Sequence, residues 1–280
     1  MPSPLLVVDA PSLMYRAFHA LPSSITNNAL LGCANQVIWA HDRYKPRAVV
    51  LCFGAEAAVY RKELYPPYHA ARPEMPEDLA RQWLDARAFF ESFDWVVLDH
   101  DTLEADDLLG SLAREEVAAG GSVVLFTGDR DMFQCVGEKV AVLYPGGKDG
   151  PTIIDEAGVR ERYGIPPSQV PDFIALRGDP SDGLPGAKGI GEKGARELLR
   201  VHGSLETAIE NAAGERPRVA AALRDQAEEL RAFKEIATLV HVPVDLPPDT
   251  RTAWARAGDA AEQRDMNRLA ERLRNMAAAQ

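Results

Sequence analysis

Val123-Val124-Leu125-Phe126-Thr127-Gly128-Asp129-Arg130-Asp131 is an apolar run that turns, across Thr127-Gly128, into acids. Four consecutive apolar residues read as a strand buried on both faces. The same pattern recurs at Leu5–Val8, which Asp9 follows directly, and at Ala48–Phe53, Trp95–Leu98 and Val140–Tyr144. Stretches with helical periodicity, such as Leu103–Ala119, lie between them. Strands alternating with helices predict an α/β fold, a mostly parallel sheet flanked by helices on both faces. Open sheets of this kind bind ligands at the carboxyl ends of their strands. Asp9, Asp129 and Asp131 belong at that edge.

Glu104, Asp106 and Asp107 open the helix after Trp95–Leu98. Thr102 is the expected N-cap, and acids in a first turn interact favourably with the helix dipole. Leu108, Leu109 and Leu112 supply the core stripe. Glu104 and Asp107 share a face, and without a cation two like charges there mildly destabilise a helix. Asp179 and Asp182 stand in Arg177-Gly178-Asp179-Pro180-Ser181-Asp182-Gly183, a stretch made of ordinary turn formers. These eight acids account for most of the formal net charge of −11. Two divalent ions would offset much of it. Phosphodiester hydrolysis needs an activated water, a neutralised phosphate and a stabilised leaving oxygen, which a pair of ions provides. Magnesium suits such a site because it takes carboxylates and keeps several waters.

The rest of the composition narrows the field. With 280 residues the chain makes one large domain or two modest ones. No apolar run reaches the length of a transmembrane helix. Met1-Pro2-Ser3-Pro4 lacks the basic start of a signal peptide, so a cytoplasmic location is expected and no membrane partner. Cys33, Cys52 and Cys135 form no C-x-x-C pair and the six histidines no H-E-x-x-H pattern, so a metal here would take oxygen ligands. Acidity overall disfavours nucleic acid, unless the acids are gathered in one site and the bases spread along a groove. Tyr60–Pro76 has no clean period, and long loops in compact domains are often functional. Near Asp155 the texture turns to short helices with Gly- and Pro-rich turns. Ile236–Val244 then reads as a strand, and a last helix is predicted over Ala260–Ala278 with Met266, Leu269, Leu273 and Met276 on one face.

Five segments in this order carry a resemblance: Val8-Asp9-Ala10, Glu104-Ala105-Asp106-Asp107, Thr127-Gly128-Asp129-Arg130-Asp131, Gly178-Asp179-Pro180-Ser181-Asp182, and Pro185-Gly186-Ala187-Lys188-Gly189-Ile190-Gly191-Glu192-Lys193. Together they resemble the 5′-3′ exonuclease/flap endonuclease family, in the form of the 5′-nuclease domains of bacterial DNA polymerases. The likeness runs from about Leu5 to Val244. It implies a PIN-like nuclease fold over 1–155 with a helical arch at 60–85. A helix-hairpin-helix DNA-binding region follows at 156–235, and the C-terminal strand and helix (236–280) pack back on the nuclease domain. It implies two or three magnesium or manganese ions on Asp9, Glu104, Asp106, Asp107, Asp129, Asp131, Asp179 and Asp182. A potassium ion on the hairpin carbonyls is a further implication. Arg16, Arg61, Tyr68, His69 and Arg72 stand at positions that meet the scissile strand, Arg72 among the catalytic residues. Lys188, Gly189, Gly191 and Lys193 stand where the hairpin grips duplex phosphates. The expected partner is branched or 5′-ended DNA, cut by a monomer acting in replication and repair. The chain is too short for a polymerase domain, so it is a stand-alone nuclease or a fragment.

Three positions depart from the family pattern. Gly54 replaces an aspartate ligand, His69 a lysine of the arch, and Ala10 a glycine after the first aspartate. Glu56 is a candidate replacement for the missing ligand, and restoring an aspartate at 54 is expected to keep or raise activity. A binder of DNA structures with weakened chemistry and a PIN-type ribonuclease are the rival readings. Gly189-Ile190-Gly191-Glu192-Lys193-Gly194 also fits the G-x-G-x-x-G of dinucleotide sites. It follows a turn-rich stretch rather than a strand, which rejects that reading.

Overall fold

The computed structural model describes residues 3–146 and 150–279. β1 (Leu5–Asp9) leads into α1 (Ala10–Ala20) and α2 (Asn28–Tyr44). β2 (Ala48–Cys52) leads into α3 (Val59–Leu64) and α4 (Glu77–Glu91), and β3 (Val96–Leu98) into α5 (Ala105–Ala118). β4 (Val123–Phe126), β5 (Val140–Tyr144) and β6 (Thr152–Ile154) complete the sheet. Helices follow: α6 (Glu156–Tyr163), α7 (Val170–Arg177), α8 (Glu192–His202), α9 (Leu205–Glu210), α10 (Pro217–Asp225), α11 (Ala227–Ala237), α12 (Trp254–Glu262) and α13 (Asn267–Ala278).

The strand order is β3-β2-β1-β4-β5-β6, parallel throughout except for antiparallel β6 at the edge. Alternate side chains of β1 enter different cores. Leu5 and Val7 pack with α5, α7 and α11 residues such as Leu109, Phe173 and Phe233, while Leu6 and Val8 pack with α2, α4 and α13 residues such as Val37, Phe89 and Leu273. Burial on both faces is why β1 reads as an unbroken apolar run, each such side chain contributing about 1.5–3 kcal/mol. The helical second half shares the first of these cores, so the change of texture near Asp155 marks no break in packing.

Four local expectations are corrected. β6 escapes the sequence reading because it is three residues long with Thr152 and Ile153 exposed. Ile236–Val244 is no strand: α11 runs through Ala237, and residues 238–253 form an irregular strap. Side chains satisfy the first part of the strap's backbone instead of a strand partner. Leu239 N donates to Gln134, Val240 N to Asp107 and Val242 N to Ser111. The last helix is two, broken at Asp265 (φ 59°), though Met266, Leu269 and Leu273 are buried as expected. Glu104, not Thr102, caps α5, in a reciprocal box with Asp107.

Candidate active site

Chain order reverses direction across the sheet at β1, which lies between β2 and β4. The crevice beyond the carboxyl ends of β1 and β4 is the switch point, where such sheets bind ligands. Asp9 ends β1, and its Oδ1 caps α1 by accepting from Ser12 N at 2.9 Å. Asp129 and Asp131 follow β4, and Asp106 sits in the first turn of α5. Asp179 and Asp182 come from the loop after α7, pinned by paired 2.8 Å hydrogen bonds between the Asp179 and Leu184 backbones. With Glu104, these acids line one cavity of about 1060 Å³. Seven of the eight acids singled out by sequence thus meet at one place.

The cavity is electrostatically loaded. Burial pushes the Asp106 carboxyl well above the usual range, and the charges of Asp129 and Asp9 add to it. Asp131 is raised by burial and then by Asp129, Asp182 and Asp179. Asp129 is pushed up to about 7 by burial, with Asp182, Asp9 and Asp179 adding to it, against the hydrogen bond it accepts from Asp131 N. Asp9 is raised by burial despite its hydrogen bonds from Thr127 and Ser12. Like charges held together in a low-dielectric crevice favour protons or cations.

Asp107 is the exception and a correction. It is fully buried and outside the cavity lining. Arg61 closes on both its oxygens, at 2.8 and 2.9 Å, and Val240 N donates a third bond at 2.9 Å. The same guanidinium donates to Glu104 Oε1 at 2.9 Å and to the Ile236 carbonyl at 2.9 Å. The cation required by two acids sharing one helix face is therefore an arginine. Arg61 is buried at the cavity wall, where its guanidinium is engaged by the carboxylates.

Tyr68, which lines the cavity, and His69 are also engaged by the acids. Both are buried and stacked on each other at 3.9 Å between ring centres. The Tyr68 hydroxyl lies 3.1 and 3.2 Å from the Glu104 oxygens. The His69 ring nitrogens face Asp182 Oδ1 at 3.0 Å and the Glu56 carbonyl at 2.8 Å. The stretch expected to form a helical arch is thus α3, a turn and an extended run into α4, with the turn folded down between Glu104 and Asp182. Arg72 remains exposed beside it, with Nη2 3.1 Å from Asp182 Oδ1.

Gly54 has a steric reason. A Cβ there would lie 2.5 Å from the Leu103 carbonyl oxygen, 2.6 Å from Ala105 N and 2.7 Å from the Glu104 carbonyl carbon. All three are backbone atoms, held by the 2.8 Å bond from Ala55 N to Leu103 O. The expectation that an aspartate fits at 54 is overturned. Glu56 lines the cavity from an exposed position.

The basic elements are distributed. Lys188, Gly189, Gly191 and Lys193 are exposed between α7 and the start of α8, a helix-hairpin-helix arrangement with no strand before it. Gly189 adopts φ 77°, which a side chain would strain. Arg16 is exposed on α1. The sequence reading missed Arg177, 3.3 Å from Asp179 Oδ2, and the cavity's second wall of Tyr15, His19, Met75 and Trp83. Nothing but folding brings α1 and α4 together there; Tyr15 and Trp83 meet edge to face at 6.1 Å.

The donor set suits a hard cation. It is all oxygen, and Cys33, Cys52 and Cys135 do not line the cavity. Among the described residues no three His, Cys, Asp or Glu side chains lie close enough to hold an ion unaided. Ions that keep several waters span such gaps. No helix among the described residues is long and apolar enough to cross a membrane.

The model of the 5′-3′ exonuclease N-terminal resolvase-like domain matches residues 4–164, and that of the 5′-3′ exonuclease C-terminal SAM fold matches 165–259. DNA polymerase I of Mycobacterium bovis is 36% identical over 255 residues, 88% of this chain. The thermostable DNA polymerase I of Thermus thermophilus is 38% identical over 263 residues, 91% of the chain. The chain spans only 28% and 30% of those proteins. Among solved structures, a bacteriophage T5 flap endonuclease in a pseudo-enzyme-product complex with DNA and metal ions matches with TM-score 0.72 and 18% identity, covering 98% of this chain and 99% of that one. The catalytic core of Rad2 in complex with DNA substrate matches with TM-score 0.65 and 15% identity, covering 97% and 90%. At these identities the structural likeness concerns the fold.

Proposed function

The chain belongs to the 5′-3′ exonuclease family, and from that premise we propose that it is a magnesium- or manganese-dependent 5′ nuclease acting on flapped and 5′-ended DNA. The observation that carries this reading is the cavity at the switch point, where seven carboxylates converge and burial and mutual repulsion raise Asp106, Asp129 and Asp131. Asp9, Asp106, Asp129, Asp131, Asp179 and Asp182 would hold the ions, with Glu104 at their margin. Bound ions would activate water and neutralise the phosphate under attack.

The chain's own groups do the rest. Arg72, exposed at the cavity mouth, orients the scissile phosphate. Lys188 and Lys193 grip duplex phosphates beside the exposed backbone of Gly189 and Gly191, where a potassium ion on the carbonyls belongs to the same reading. Arg16 extends the basic track. Tyr15 and Trp83 offer an aromatic wall to unpaired bases. The hairpin suits duplex backbone, which favours DNA over RNA.

The test is cleavage of a labelled 5′-flap duplex with magnesium, manganese or chelator, beside a matched RNA flap. Ion-dependent release of the DNA flap is expected. Tight flap binding with no cleavage in either metal would replace this reading with a DNA-structure binder, which the absence of a carboxylate at Gly54 would then explain.

A further inference from the structure

Thr127 lies between two of the acids without being one of them. It follows β4 directly, is fully buried, and its hydroxyl touches both sides of the crevice. Oγ1 donates to Asp9 Oδ2 at 2.5 Å and accepts from Asp129 N at 2.9 Å. A hydroxyl has one proton. Because the Asp129 amide fills an acceptor position, that proton is directed at Asp9. Asp129 Oδ1 in turn accepts from Asp131 N at 2.8 Å. One hydroxyl therefore ties the end of β1 to the backbone that aims Asp129 and Asp131.

The tie also fixes rotation. Asp9 Oδ1 is held by Ser12 N and Oδ2 by Thr127, so its carboxylate plane is set from both ends. Each oxygen keeps lone-pair capacity for a cation. A second hydroxyl, Ser12 Oγ, accepts from Gly128 N at 3.1 Å and couples the same two turns without touching an acid's side chain.

We infer that Thr127 is a positioning residue for the ion site, setting the separation and orientation of Asp9 relative to Asp129 and Asp131. The inference rests on the proposed ion-dependent reading of the cavity. Partners that orient ligating carboxylates typically change metal affinity about 10–100-fold when removed. A threonine that merely filled space would be replaced without loss by valine, which has the same shape.

The experiment compares Thr127→Val and Thr127→Ser with the parent by calorimetric titration of manganese into the DNA-free protein. Melting in chelator is recorded alongside. Thr127→Val is expected to bind manganese about 10–100-fold more weakly, and Thr127→Ser, which keeps the hydroxyl, to return toward the parent. Parent-like affinity in folded Thr127→Val, or equal weakening in both variants, overturns the inference. If Thr127→Val fails to melt cooperatively, Thr127→Cys takes its place, because a thiol is a weak donor; weaker uptake than Thr127→Ser supports the inference and equal uptake overturns it. Failure of the parent itself to bind manganese would overturn the nuclease reading instead, which keeps the two failures distinct.

Discussion

The carbonyl oxygen of Leu103 lies 2.5 Å from where a Cβ of Gly54 would stand. The turn entering α5 has closed over the end of β2, and the space where the family carries an aspartate holds peptide backbone. Overpacking against backbone costs about 1–3 kcal/mol or more. Gly54→Asp is therefore expected to lower the melting temperature and reduce cleavage. Unchanged melting together with tighter manganese binding would mean that the turn yields and the ligand can be restored.

Arg61 is expected to matter for folding before it matters for DNA. Removing one partner of a buried ion pair leaves an uncompensated charge, at a cost of about 3–5 kcal/mol. Arg61→Ala strands Asp107 and Glu104 together, and Arg61→Lys should rescue little because an ammonium cannot bridge them in the same planar fork. Urea denaturation measures this. A fully stable Arg61→Ala protein with weakened DNA affinity alone would return Arg61 to the DNA surface.

Stability should depend on pH in opposite ways with and without ions. Asp129, raised to about 7, and Asp106 and Asp131, also raised, are carboxyls whose protonated form the fold favours. Their contribution is fully present below the unfolded value of about 3.9 and is lost as pH rises through the folded one. In chelator the protein should lose stability between about pH 4 and 7 from Asp129, and Asp106 and Asp131 act in the same direction. A divalent ion binds the deprotonated form, so its stabilising effect should be larger at alkaline than at acidic pH. Melting curves across pH, with chelator or magnesium, are the check. A magnesium effect of equal size at every pH would place the ion elsewhere.

Grip and chemistry should separate. Replacing Lys188 and Lys193 with Ala is expected to weaken duplex binding and flatten its salt dependence by about 0.9 in log–log slope per lysine. Single-turnover cleavage at saturating protein should hardly change. Arg72→Ala should do the reverse, forming the complex and cutting slowly. Loss of rate in the lysine variant at saturation would put the hairpin inside the catalytic step.

The sequence makes the sheet legible because doubly buried strands leave continuous apolar runs, and it makes seven cavity acids legible because they follow those strands or a turn. What it hides is pairing over distance. Asp107 looks no different from Asp106 in the chain, yet one faces Arg61 inside the protein and the other the cavity. Tyr68 and His69 read as loop residues because nothing local shows the turn folding onto Glu104 and Asp182. The strap over 238–253 imitates a strand because half-buried irregular chain carries apolar residues too, and only its side-chain partners tell the two apart.

The bond between Thr127 and Asp9 joins residues 118 positions apart, and His69 meets Asp182 across 113. Contacts this distant in sequence form only after a long loop has closed. A chain emerging in order during synthesis would complete β1, β4 and their turns well before the loop after α7 arrives. The acid cavity then remains open-sided until Asp179 and Asp182 dock. Two of the seven cavity acids thus reach the site only after every strand of the sheet has been made, because Asp179 and Asp182 follow β6 and α7 in the chain.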